Sequence, residues 1–188
     1  MCSSDLETRL KTFEEIAVKK PPLRMALRGQ LDHWLHYMLE DVANAAGFSV
    51  ADVVAWGGEA RREGQLPYPH QKKFKAFLSG ELNAVFDEAA DVWLPQALDA
   101  GMTILPLAEA TVRKLEQRGY RRAVLRKTEY PKLPHDILTL DFSGWPIFVH
   151  ANAPDEFVTQ VCAALVKRKH LIPWQGEGDL PIERMCLD

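Results

Sequence analysis

Two adjacent carboxylates, Asp87 and Glu88, close an apolar run from Leu82 to Phe86 that only Asn83 interrupts. A helical pattern follows at once and carries Trp93. A short apolar run that hands over to a helix in this way marks the end of a buried parallel strand in an α/β domain. In open α/β sheets, ligands bind outside the carboxyl ends of the strands. Asp87, Glu88 and Trp93 are therefore expected to contact a small molecule. The two carboxylates point in different directions and lack a partner acid or nucleophile, so they do not read as an acid–base pair.

Three further groups of residues have chemical potential. The turn Arg28-Gly-Gln-Leu-Asp-His33 joins a predicted strand to a helix N-terminus, where free N–H groups and the helix dipole attract anions. Arg28 adds a fork suited to a carboxylate, with Gln30 and His33 beside it. Trp56-Gly57-Gly58 reads as another strand end, with glycines that admit close backbone approach and an indole wall. His33, His36 and Glu40 fall at i, i+3 and i+7, roughly one helical face. That face lacks the His-Glu-x-x-His pattern of a zinc enzyme, and no metal is expected. There is no Walker loop, GxGxxG, GxSxG or CxxC pair, so no cofactor is implied.

The elements that position these groups follow from hydrophobic spacing. Residues 6–18 predict a peripheral helix stopped by Pro21-Pro22. Leu23 to Arg28 predicts a strand, and Asp32 a cap for a helix running to Ala46 and closed by Gly47. Val53 to Trp56 predicts a short buried strand, 60–69 a loop and 70–79 a helix. After the strand ending at Phe86 come a helix over about 89–100, broken or kinked at Pro95, and a strand over 102–105. A helix over 108–118 and a strand over 121–126 follow. Residues 137–142 and 145–149 read as extended, 155–168 as an amphipathic helix with Phe157, Val158, Val161, Ala164 and Leu165 on its apolar face, and the tail from 172 as irregular. The alternation predicts an α/β fold: a mostly parallel sheet with helices on both faces. The chain reversals near 29, 57 and 87 are expected to converge on one rim of that sheet.

The chain has 188 residues, 47% of them hydrophobic and 26% charged, with a net charge of −3. Such a chain can bury a core in one or two domains. Its charge gives no case for nucleic acid or an anionic membrane. Cys2, Cys162 and Cys186 lack metal-like spacing. No apolar run approaches the ~20 residues that span a bilayer. Met1 to Leu6 is short and polar, unlike an export signal.

Several segments, in this order, look like one family: Gly80 to Trp93, Ile104-Leu-Pro-Leu107, Tyr130-Pro131, Asp141-Phe-Ser-Gly-Trp-Pro146, Asn152-Ala-Pro-Asp-Glu-Phe157 and Ile172-Pro-Trp-Gln-Gly176. Together they resemble the TAXI-type solute-binding proteins of TRAP transporters, of the type II periplasmic-binding-protein superfamily. The resemblance implies two α/β lobes that clamp a solute. Residues 23–125 would be one complete lobe and 126–188 the returning part of a second, incomplete one. Residues 1–22 would be a helix and linker, with the natural start and its export signal lost upstream. It further implies a periplasmic, non-enzymatic protein that captures a small organic acid or amino-acid-like solute and presents it to membrane transporter subunits. Arg28, Gln30, His33, Trp56, Gly57, Gly58, Asp87, Glu88 and Trp93 would line the cleft, with Tyr130 near the return crossover. Two rivals share the architecture. One is an aromatic-acid decarboxylase of the dihydroxyphthalate type, for which His33, His36 and Glu40 are the best material. The other is a regulator's effector domain, for which Leu6–Lys20 is too short to bind DNA.

Overall fold

The computed structural model describes residues 2–4, 8–62, 75–76, 78–88, 90–141, 149–172 and 182. The chain divides into two compact units, Met1–Asp141 and Phe142–Asp188. The first is an α/β unit built on a five-stranded sheet. Its strands are β1 (Cys2–Ser4), β2 (Arg24–Leu27), β3 (Glu59–Arg62), β4 (Ala84–Phe86) and β5 (Thr103–Leu105), in the order β3-β2-β4-β1-β5. β3, β2 and β4 are parallel, in the register Arg24↔Glu59 and Met25↔Ala60↔Ala84. β1 runs antiparallel to both β4 and β5, so β5 points the same way as β4. Four strands thus share one direction around a short reversed one that no hydrophobic pattern announced.

β2 and β4 are buried on both faces. Met25, Ala26 and Leu27 on one and Ala84, Val85 and Phe86 on the other are at most 4% exposed. Their short apolar runs are those of central strands. Asn83, the one polar residue in the β4 run, is also buried. Its side-chain Oδ1 accepts the Arg24 N–H at 2.8 Å and its own N–H donates to the Arg24 carbonyl at 3.0 Å. It thereby extends the β2–β4 ladder by one rung.

The helices of this unit are α1 (Glu15–Lys19), α2 (Leu35–Ala46), α3 (Val50–Ala55), α4 (Ala90–Asp99) and α5 (Glu109–Glu116). Several differ from expectation. The N-terminal helix covers only Glu15–Lys19; Arg9 and Lys20 both take a left-handed φ of 48°, which interrupts it at one end and stops it at the other. α2 begins at Leu35, so Asp32 does not cap it. Val53 to Trp56 is not a strand. Ser49 and Asp52 form a reciprocal capping box, and Val50–Ala55 is a helix. The β-branched residues are overruled by a cap that satisfies donors at the helix start. The polar stretch Glu59–Arg62, expected at the edge of a loop, is the edge strand β3. α4 runs through Pro95. Residues 63–74, 142–148 and most of the tail beyond 172 lie outside the described residues, and with them most of the expected loop, the helix over 70–79 and the segment at 145–149.

After α5, β6 (Arg121–Leu125) leaves the main sheet and pairs antiparallel with β7 (Ile137–Asp141). β7, expected in a returning segment from residue 126, lies inside the first unit. Arg122 on β6 donates to Glu109 and Glu116, and these hydrogen bonds hold both carboxyls below their usual range. α5 is tied to α2 by Lys114 Nζ to the Ala45 carbonyl at 3.0 Å. Just beyond it, the Tyr120 hydroxyl donates to Asp41 Oδ2 at 2.8 Å.

The second unit contains α6 (Asp155–Arg168) and a 3-10 turn, Lys169–Leu171. Asp155 and Glu156 sit in the first turn of α6 and Lys167 and Arg168 in the last, matching the helix dipole. Val158, Val161 and Leu165 are half-buried and Phe157 is exposed.

Two outcomes test this packing. A Cβ on Gly58 would stand 2.5 Å from the Leu23 carbonyl oxygen and 2.8 Å from that of Val53, both backbone atoms. Gly58→Ala should therefore cost about 1–3 kcal/mol in urea denaturation. Burial first, and then the hydrogen bond to Asp41, push the Tyr120 hydroxyl up to about 12. The unfolded chain loses this proton near pH 10. The contribution is complete below pH 10 and is lost as pH rises towards 12. Stability measured across that range should fall more steeply for the wild type than for Tyr120→Phe.

Candidate functional site at the ends of β2 and β4

Two parallel neighbours necessarily end on the same rim. The pairing Met25↔Ala84 and Ala26↔Val85, carried two residues further, sets Arg28 beside Asp87. The chain leaves β2 through α2 and α3 for β3 on one side; it leaves β4 through α4 for β5 on the other. Adjacent parallel strands whose exits diverge form a topological switch point, which opens a crevice outside their carboxyl ends.

Among the described residues, four ionisable side chains meet there. The Arg28 guanidinium donates through Nη2 to Glu88 Oε1, and its Nε lies 4.0 Å from Asp87 Oδ1. His33 Nε2 lies 3.7 Å from the same Glu88 oxygen. The side chains of Arg28, Asp87, Glu88 and His33 are 11%, 0%, 10% and 15% exposed. This is a nearly buried charge cluster, in which ion pairing must offset several kcal/mol of desolvation per ion.

The backbone fixes each member. Asp87 Oδ1 accepts the Glu88 N–H at 2.9 Å, and the Glu88 carbonyl accepts the Trp93 indole N–H at 2.7 Å. Glu88 is thus held through both its backbone N–H and its backbone carbonyl. His33 Nδ1 accepts the Leu35 N–H at 3.3 Å, at the start of α2. A ring that accepts at Nδ1 carries its neutral-state proton on Nε2, the nitrogen facing Glu88.

Of the expected site residues, Arg28, His33, Asp87 and Glu88 come together. Arg28 is engaged by carboxylates of its own chain rather than presented to an acidic solute. Gln30 is exposed and contributes its carbonyl, which accepts the His33 N–H at 3.2 Å and lies 2.8 Å from His36 Nε2. Trp93 is 1% exposed: it is a core residue that positions Glu88, not a ligand wall. Tyr130 packs against the hydrophobic cluster that includes Trp93, Leu133 and Ile137. Trp56, Gly57 and Gly58 do not join the site. They precede β3, whose first residue pairs with the first residue of β2. They lie at the opposite rim, roughly 13 Å of strand away. There Trp56 faces Phe48, and Lys20 sits over its ring.

The His33–His36–Glu40 face does not form either. His33 precedes the helix, His36 turns to the Gln30 carbonyl, and Glu40 Oε2 accepts the Val50 N–H at 3.4 Å. Among the described residues no three His, Cys, Asp or Glu side chains converge as metal ligands. Two contributors were missed. Asn83 pins the β2–β4 register, and a lone polar residue in an apolar strand was its signal. Trp34 stacks beside His33, 6.1 Å between ring centroids, and remains 38% exposed.

No family model, curated protein or solved structure matches the chain.

Removing the guanidinium leaves two enclosed carboxylates uncompensated. Arg28→Met should cost about 3–5 kcal/mol in urea denaturation, whereas Gln30→Ala, a change at an exposed side chain, should stay within about 0.5 kcal/mol.

Proposed function

We propose that the first unit captures a small polar solute outside the carboxyl ends of β2 and β4. In this reading the protein is the solute-binding component of a TRAP-type uptake transporter of the TAXI kind. Its fold would be a type II periplasmic-binding-protein lobe, and its place the periplasm. The observation that carries the capture reading is the meeting of Arg28, His33, Asp87 and Glu88 at the switch point of the sheet. Ordered charge at such a crevice, held on strand ends and a helix start rather than on a free loop, suits recognition of a polar ligand. The transporter assignment rests on the order of the motifs from Gly80 to Gly176. The solute is a small organic acid or an amino-acid-like molecule, and the membrane subunits are the partners that read its capture. Among the described residues no helix is long and apolar enough to cross a membrane.

A thermal-shift screen of the full chain against small organic acids and amino acids tests this. A ligand present at 100 times its Kd adds about 2.7 kcal/mol, which should raise Tm by roughly 5–10 °C. Release of carbon dioxide from an aromatic acid, with no solute raising Tm, would replace capture by the decarboxylase reading.

A further inference from the structure

Strand β3 ends the five-stranded sheet on one side, and among the described residues β2 is its one strand neighbour. In a parallel ladder the backbone groups of successive residues turn alternately to the two sides of the strand. The Glu59 N–H donates to the Leu23 carbonyl at 2.8 Å, so Glu59 and Arg61 turn inward to β2. The N–H and carbonyl of Ala60 and Arg62 therefore face outward, where among the described residues no backbone group meets them. Glu59 and Arg62 are exposed and Ala60 is half-buried, so this margin is open to a neighbour. Such an edge is a template for another strand unless its charges repel one.

The charges of β3 repel most strands but suit one. Glu59 and Arg61, two residues apart, share a face of the strand and have opposite sign. Arg61 Nε and Nη2 donate to the two Glu59 oxygens at 3.0 and 3.1 Å, and Nη1 donates to Glu81. The Glu59 side chain is still 47% exposed. A carboxylate has about four lone-pair sites, so it has capacity for a further guanidinium.

We propose that β3 pairs antiparallel with β3 of a second copy of this chain, about a twofold axis through Ala60. A closed twofold allows two identical strands few registers. Parallel pairing sets every charge against its own copy. Antiparallel pairing about Arg61 or Arg62 sets two guanidiniums against each other. Pairing about Ala60 brings unlike charges together: Glu59 faces the second copy's Arg61 on each side of the axis, and only methyl groups stand on it. Ala60 then forms the hydrogen-bonded pair, each N–H donating to the other copy's carbonyl. Its outward-facing backbone is what that pair requires. Glu59 and Arg61 take the non-hydrogen-bonded positions, where facing side chains approach closest. Together they close a ring of alternating sign around the axis. The two sheets continue into one another, and their β2–β4 rims point to opposite ends of the joined sheet. The inference does not depend on solute capture.

Sedimentation velocity of the full chain across the micromolar range is the test. The wild type should show a reversible monomer–dimer equilibrium. Ala60→Pro deletes an N–H that its own sheet does not use, and proline is tolerated on an edge strand. It should weaken the dimer about 10- to 100-fold, with far-UV circular dichroism unchanged. Glu59→Arg and Arg61→Glu should each weaken it about 10-fold, because each turns unlike pairs into like ones. Mixed in equal amounts, these two variants should form a heterodimer within about 3-fold of wild-type affinity, since every facing pair is then unlike again. A wild type that stays monomeric overturns the proposal. So does a dimer that Ala60→Pro leaves intact, or a pair of charge variants that does not recombine. Should Ala60→Pro fail to fold, the exchange of charges decides alone.

Discussion

The guanidinium of Arg28 stands between two carboxylates where β2 and β4 end, and the arrangement of the first unit depends on it. Parallel neighbours deliver their carboxyl ends to one rim, so Arg28 and the pair Asp87–Glu88 are brought face to face by the register alone. Enclosed side by side, the two acids would repel each other and lose their hydration. One guanidinium, charged at any accessible pH, offsets part of that cost and closes the top of the central strand pair. The same contact marks the switch point of the sheet. The interaction that stabilises the rim is therefore also the one that sets the electrostatics of the crevice.

That coupling has a consequence for recognition. Arg28 cannot be released to greet an acidic solute without exposing Asp87 and Glu88 to each other. Position on rigid elements matters as well. Asp87 and Trp93 hold the Glu88 backbone on either side, and Leu35 fixes the His33 ring. Little reorganisation is left for a binding event to supply at these residues.

Much of the first unit was legible in the chain because burial writes itself as pattern. The double-sided apolar runs of β2 and β4, and the 3.6-residue spacing of α2 and α5, have one reading each. Legibility failed where local and tertiary preferences disagree. Val53-Val54 favours extended chain by residue type, yet the Ser49–Asp52 capping box makes it helical. Glu-Ala-Arg-Arg at 59–62 has no apolar signal because an edge strand needs none on its open side. Cys2–Ser4 is too short for any periodicity. β6 looked like another parallel strand because an apolar centre does not announce its partner.

The site followed the same division. Arg28, Asp87 and Glu88 were found because strand ends can be located from hydrophobic runs. Trp56–Gly58 was misplaced to this rim because the helix before it was read as a strand, which reversed the end of the sheet that the glycines occupy. Trp93 was read as a ligand contact because an indole near a strand end serves equally as core or contact, and only packing separates the two.

A double-mutant cycle between Arg28→Met and Glu88→Gln, read by urea denaturation, tests the central contact most directly. Enclosed partners at the adjoining ends of β2 and β4 should couple by about 1–3 kcal/mol. If the two substitutions add to within about 0.5 kcal/mol, the side chains do not meet, and the switch-point site does not exist as described.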